Sequence, residues 1–266
     1  MTALRVPVVM IHGAFCGAWV FDEWRSLFAH KGFDAHAPNL RHHNGSRDPD
    51  PALGTTSVLD YAEDLAAYLD TLDTEPVLIG HSMGGLLAQL LAVRRPVRAL
   101  VLLAPSAPWG VLPATMFEYI SAHTLYLAGD FWNRCLRPTH WIAAANALDN
   151  VPEEARDEVL HRFVPESGLA TFEIMHWPLD LKRATFIDPC AVTCPILCIV
   201  GSRDRINSAG TVKSIAKRYR GRARYEELPG HSHWLIGEPG WNDIASMVLA
   251  WLDELSPRAS TSARAA

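Results

Sequence analysis

Short apolar runs alternate with amphipathic stripes along almost the whole chain, and this alternation restricts the fold more than any other feature. Val6–Ile11, Ala35–Leu40, Val77–Ile79, Val97–Leu103, Ile196–Val200 and Arg224–Leu228 read as strands. Several are nearly continuous apolar runs, as suits parallel strands covered on both faces. Between them, apolar residues recur at helical spacing. Val20, Phe21, Trp24, Leu27 and Phe28 make one stripe, ended by Gly32. Val58, Tyr61, Leu65, Tyr68, Leu69 and Leu72 make another, opened by Ser57 and Asp60 at capping-box spacing. A third runs from Leu86 to Val93 until Pro96 forbids extension, and a last joins Trp241, Ile244, Val248, Leu249, Leu252 and Leu255. The pattern predicts an α/β fold: a mostly parallel twisted sheet flanked by helices.

One stretch breaks the rhythm. Residues 107–189 show helical signals, such as the helix start at Pro152-Glu-Glu, and no strand signal. They read as a helical cap over the carboxyl edge of the sheet, inserted into a core formed by residues 1–106 and 190–255. Trp109, Trp132, Trp141 and Trp177 in the insertion, with Phe15, His81 and Trp234 of the core, are candidates for lining a substrate pocket. Ordinary cap packing would use the same aromatics. The tail at 256–266 is small, polar and basic, and reads as disordered.

Composition narrows the partners. A formal net charge of −5, with both signs mixed along the chain, argues against a nucleic-acid surface. No apolar run approaches the ~18 residues of a membrane span. The first ten residues read as a strand instead of a secretion signal, so the expected compartment is cytoplasmic. Five cysteines, an odd number, suit reduced thiols. Cys190, Cys194 and Cys198 are evenly spaced, but Cys198 lies in an apolar strand, where a small buried thiol is the plainer account. His36, His42 and His43 read as part of a strand and a solvated polar loop, not as a metal cluster. No metal or cofactor is expected, and the sequence does not fix the oligomeric state, leaving a homodimer open.

One constellation carries chemistry. Gly80-His-Ser82-Met-Gly84 follows the apolar strand at Val77 and precedes a helical stripe. A strand–turn–helix of this kind holds a serine in a strained turn with its hydroxyl exposed, and its neighbours must be small. The Met83 amide would point from the helix start, where free N–H groups favour an anion. A serine needs a base, and the base an orienter. Asp204 lies in the loop after the strand at Ile196, and His231 in the loop after the strand at Arg224. In this reading His231 takes the Ser82 proton and Asp204 holds the imidazole. His233 is the rival base and Asp188 the rival acid. After the first strand, His12-Gly13-Ala14-Phe15 offers the Ala14 amide as a second oxyanion donor, with His12 as a structural hydrogen-bonding residue.

With these motifs in place, the chain resembles the α/β-hydrolase superfamily from about Val6 to Leu255. Ser82, Asp204 and His231 match the family's triad positions, and His12-Gly13 its oxyanion-loop signature. The first strand corresponds to the family's third, so the usual N-terminal hairpin looks missing. His12-Gly-Ala-x-x-Gly-Ala-Trp19 also resembles the plant methylesterase and hydroxynitrile lyase branch. The lyases commonly carry Thr where Gly13 stands and a Lys soon after the catalytic histidine, and neither occurs here. The resemblance implies a serine hydrolase acting on a carboxylic ester of a small to medium hydrophobic molecule through an acyl-enzyme. The same triad also serves lactone or carbon–carbon bond hydrolysis and lyase reactions, and some relatives only bind ligands.

Overall fold

The structure is a computed structural model, and it describes residues 5–46 and 48–255. Six strands form one sheet: β1 (Pro7–Ile11), β2 (Asp34–His36), β3 (Val77–His81), β4 (Ala99–Leu103), β7 (Ile196–Gly201) and β8 (Ala223–Leu228). Their spatial order is β2-β1-β3-β4-β7-β8, and every neighbouring pair is parallel. Parallel neighbours need crossovers, and helices supply them. These include α1 (Asp22–His30), α2 (Val58–Leu69), α3 (Met83–Arg94) and α8 (Ala209–Arg218), while α9 (Trp241–Leu255) follows the last strand.

The period-2 geometry of the strands divides the core into two layers. Val9, Ile11, Leu78, Leu100, Leu102, Cys198 and Val200 face α2, α3 and α8 on one side. Val8, Met10, Ile79, Val101, Leu103, Leu197 and Ile199 face α1 and α9 on the other. Because both faces are buried, α3 is apolar almost all round, with each residue from Met83 to Ala92 buried. The expected capping box forms at α2: Ser57 N–H donates to Asp60 at 2.8 Å, and the Ser57 hydroxyl accepts from Leu59 N–H at 3.1 Å.

Three expectations need correction. The second strand ends at His36 instead of Leu40, since Pro38 has no N–H to continue a ladder. The insertion is not free of strands: β5 (Cys135–Leu136) pairs antiparallel with β6 (Glu166–Ser167). Its helices are α4 (Met116–Thr124), α5 (His140–Asn146), α6 (Glu153–Arg162) and α7 (Gly168–Met175). The histidine loop is not simply solvated either. His43 is buried and its Nε2 lies 3.0 Å from Glu166 of the inserted segment. The expected disordered tail lies outside the described residues. Among those residues no helix is long and apolar enough to cross a membrane.

The insertion is fastened to the core by carboxylates. Glu118 of α4 reaches the Ser208 N–H at 2.8 Å and the Thr211 hydroxyl at 3.1 Å, at the start of α8. Glu173 of α7 accepts from the Ser57 hydroxyl and the Val58 N–H, both at 2.7 Å, at the start of α2. A carboxylate at a helix N-terminus satisfies orphan N–H groups and opposes the positive end of the helix dipole.

Candidate active site

Four loops meet at the carboxyl edge of the parallel sheet, and each follows one strand. Ser82 follows β3. Its backbone sits at φ 53°, ψ −120°, a left-handed conformation rare for a residue with a side chain, and it is the N-cap of α3. The turn is held from both sides: Ser82 N–H donates to Leu103 O at 3.0 Å, and Ser82 O accepts from Ser106 N–H at 2.9 Å. The tight packing explains Gly84. A Cβ there would collide with the carbonyl of Ile11 on the neighbouring strand. As the first residue of α3, Met83 has no intrahelical acceptor for its N–H.

Asp204 follows β7 and is buried. Its Oδ1 accepts from the N–H groups of Ile206 at 2.8 Å and Asn207 at 2.9 Å. That turn orients the carboxylate and frees Oδ2, which lies 2.9 Å from Nδ1 of His233. The expected pair between Asp204 and His231 does not form. His231 Nδ1 instead meets the buried carboxylate of Glu238 at 2.7 Å, and the Ser232 N–H also donates to Glu238. The reason is the path of the loop after β8. Arg203 N–H donates to His231 O at 2.9 Å, so this backbone lies directly on the turn after β7. Gly201 allows the approach, because a Cβ there would strike the carbonyls of His231 and Ser232. His231 is left partly exposed while His233, two residues on, enters the buried space beside Asp204. A signal for this was present: His231 follows a Pro-Gly turn, whereas His233 leads into the apolar run Trp234-Leu-Ile.

His81 joins the two loops. It precedes Ser82, its Nε2 lies 2.9 Å from His233 O, and the two rings are 4.9 Å apart. A carbonyl only accepts, so Nε2 carries the proton. Burial, and then the neighbouring His233, push the His81 pKa down to about 3, which keeps the ring neutral. The edge of Trp234 packs on His81 at 5.8 Å. Trp234 is therefore a buried support, not an open pocket wall.

The loop after β1 completes the group. His12 Nε2 accepts from Leu40 N–H at 3.1 Å, so Nδ1–H donates to Gly13 O at 2.9 Å. Burial, with His43 adding to it, pushes the His12 pKa down to about 3, so it is a neutral structural residue. Phe15 is half-buried at φ 62°, and its N–H points to Glu166 at 3.3 Å. Glu166 escaped the sequence reading because nothing local marks it.

The aromatics of residues 107–189 fall into separate groups. Trp109 packs edge-on with Trp177 at 5.0 Å, under the Arg183 guanidinium. Trp132 joins Tyr126, Phe131 and Phe172. Trp141 is 73% exposed and stands in solvent, so its expected place in a pocket is not supported. A shallow surface pocket among Arg5, Val6, Thr74, Glu75 and Arg98 lies at the opposite, amino end of the sheet and holds none of these residues.

Comparison with known proteins bears on the family and the fold. Residues 8–241 match the model of the alpha/beta hydrolase family. The chain is 31% identical over 126 residues to a probable alcohol acetyltransferase of Saccharomyces cerevisiae, covering 44% of this chain and 35% of that protein. It is 31% identical over 115 residues to a pyrethroid hydrolase of Sphingobium wenxiniae, covering 41% and 39%. The matched segments thus span under two fifths of these relatives. A methylesterase from Arabidopsis superposes with a TM-score of 0.71 at 16% identity, covering 94% of this chain and 99% of that one, a likeness of fold. With the family model spanning most of its length and the parallel sheet and strained serine turn in place, the chain belongs to the alpha/beta hydrolase family.

Proposed function

We propose that the protein is a serine hydrolase that cleaves carboxylic esters of small to medium hydrophobic molecules. Ser82 Oγ attacks the ester carbonyl and gives its proton to His233. Asp204 holds the Nδ1–H of that ring and stabilises the imidazolium. The N–H groups of Ala14 and Met83 receive the oxyanion. His233 then protonates the leaving alcohol, and water, activated by the same ring, releases the acid from Ser82. No cofactor takes part, and the unpaired cysteines suit a reducing, cytoplasmic setting.

The observation that carries this reading is the 2.9 Å contact between Asp204 and His233, on loops tied by His81 to the strained Ser82 turn. The ester class is supported by the partial likeness to a pyrethroid hydrolase and by the aromatic cap. The likeness to an alcohol acetyltransferase favours a second reading, in which an alcohol replaces water in the last step.

A panel of 4-nitrophenyl and methyl esters, with and without added alcohol, tests both. Hydrolysis lost in Ser82→Ala, together with loss of fluorophosphonate labelling, is the expected result. Labelling that survives in Ser82→Ala would move the nucleophile elsewhere. Faster phenol release with a new ester as product would select the transferase.

A further inference from the structure

Glu166 enters the core from β6 of the cap, and four donors converge on it. Oε1 accepts from the Tyr61 hydroxyl and the Ser167 N–H, both at 2.7 Å. Oε2 accepts from His43 Nε2 at 3.0 Å and from the Phe15 N–H at 3.3 Å. The side chains of Glu166 and His43 are both 0% exposed. His43 Nδ1 faces Arg41 O at 2.9 Å, so both ring nitrogens face acceptors and the ring is an imidazolium. Burial opposes both charges, but their mutual attraction and hydrogen bonds overcome it, raising the His43 pKa and lowering that of Glu166. A buried ion pair with every lone pair used is rigid and strongly directed.

Phe15 is where this network meets the candidate site. Its φ of 62° is strained for an aromatic residue, so something must hold it. The cap grips both sides of it: its N–H enters Glu166, and its carbonyl accepts from the Val164 N–H at 2.9 Å. The preceding residue, Ala14, supplies one of the two oxyanion donors in the proposed reaction. We infer that Glu166 is a positioning residue for the oxyanion hole: together with Val164 it pins the left-handed Phe15 peptide and thereby aims the Ala14 N–H. The insertion then sets the geometry of the core's catalytic loop as well as covering it. This rests on the ester-hydrolase reading.

The test compares Glu166→Asp and Glu166→Gln with Glu173→Gln. The Asp variant keeps a negative charge near His43 but draws back the oxygen that His43 and the Phe15 N–H share. The Gln variant turns one acceptor into a donor. Glu173 is the other buried cap carboxylate, bonded to Ser57 and Val58 instead of the Phe15 loop. Readouts are kcat and KM on 4-nitrophenyl butyrate, the rate of fluorophosphonate labelling, and Tm.

Both Glu166 variants should lose about tenfold to a hundredfold in kcat and in labelling rate, with KM nearly unchanged, as expected when an oxyanion donor is mis-aimed. Glu173→Gln should keep kcat within about threefold even where it lowers Tm. Folded Glu166 variants with near-normal kcat, beside an active wild type, overturn the inference alone. So does an equal loss in Glu173→Gln, and so does failure of both Glu166 variants to fold. A wild type that neither turns over the ester nor takes the label overturns the ester reading and this inference with it.

Discussion

Asp204 and His233 stand 29 positions apart in the chain, and Oδ2 of the first lies 2.9 Å from Nδ1 of the second. His231, which shares the same short loop, is bound to Glu238 instead. Replacement separates the two imidazoles. His233→Ala should abolish ester turnover, and Asp204→Asn should lower kcat by about 10⁴-fold, as in other triads. His231→Ala should retain kcat within about an order of magnitude. Steady-state kinetics on one activated ester decides it, and the reverse ranking would return the base to His231.

Gly201 lets the loops approach closely enough for that contact, and Gly84 seats the start of α3 against β1. A methyl group at Gly201 meets the carbonyls of His231 and Ser232, and one at Gly84 meets that of Ile11. Backbone cannot yield as a flexible side chain can. Each Ala substitution should cost about 1–3 kcal/mol of stability, read as a lower urea midpoint. Gly201→Ala should also lose kcat, because it pushes the His233 loop off Asp204. Unchanged midpoints would show that these loops have slack.

Glu173 predicts a pH effect on stability. Burial holds its carboxyl up at about 6, only partly offset by the Ser57 and Val58 donors. The folded protein therefore binds this proton more tightly than the unfolded chain does. The contribution is full below the ordinary value of 4.5 and is lost as pH rises through about 6. The displacement corresponds to about 2 kcal/mol. Glu173→Gln removes this dependence, so its Tm relative to wild type should climb between pH 4.5 and 7. A constant difference across that range would contradict the assignment.

The cysteines should react in order of access. Cys190 is exposed and Cys135 half-buried, whereas Cys16, Cys194 and Cys198 are buried. Burial pushes the Cys198 thiol up to about 12 and the Cys194 thiol to about 11. An aromatic disulfide reagent at pH 8 should modify Cys190 first, Cys135 more slowly, and the other three only on unfolding. Rapid loss of Cys198 in the native protein, read by peptide mass, would be inconsistent with its place in β7.

The sheet was legible because parallel strands buried on both faces write themselves as apolar runs, as at Leu78 and Val101. The Ser82 turn was legible because its glycines answer a local backbone demand. The choice between His231 and His233 was not, since it depends on how one loop lies across another, and chain order carries no such information. Glu166 and His43 were invisible for the same reason. They are 123 residues apart, and each alone reads as an ordinary polar residue. The aromatic content of the insertion announced packing, but it did not distinguish a buried ring from Trp141, which faces water.

The hydrogen bond from His81 to the His233 carbonyl changes what controls the spacing of nucleophile and base. In the sheet, β3 and β8 are separated by β4 and β7, three inter-strand steps or ~14 Å. Were that ladder the sole ruler, every small fluctuation in strand separation would accumulate between the two loops. A direct bridge from the residue beside Ser82 bypasses the ladder. Thermal breathing of the sheet then carries both groups together across one short tether.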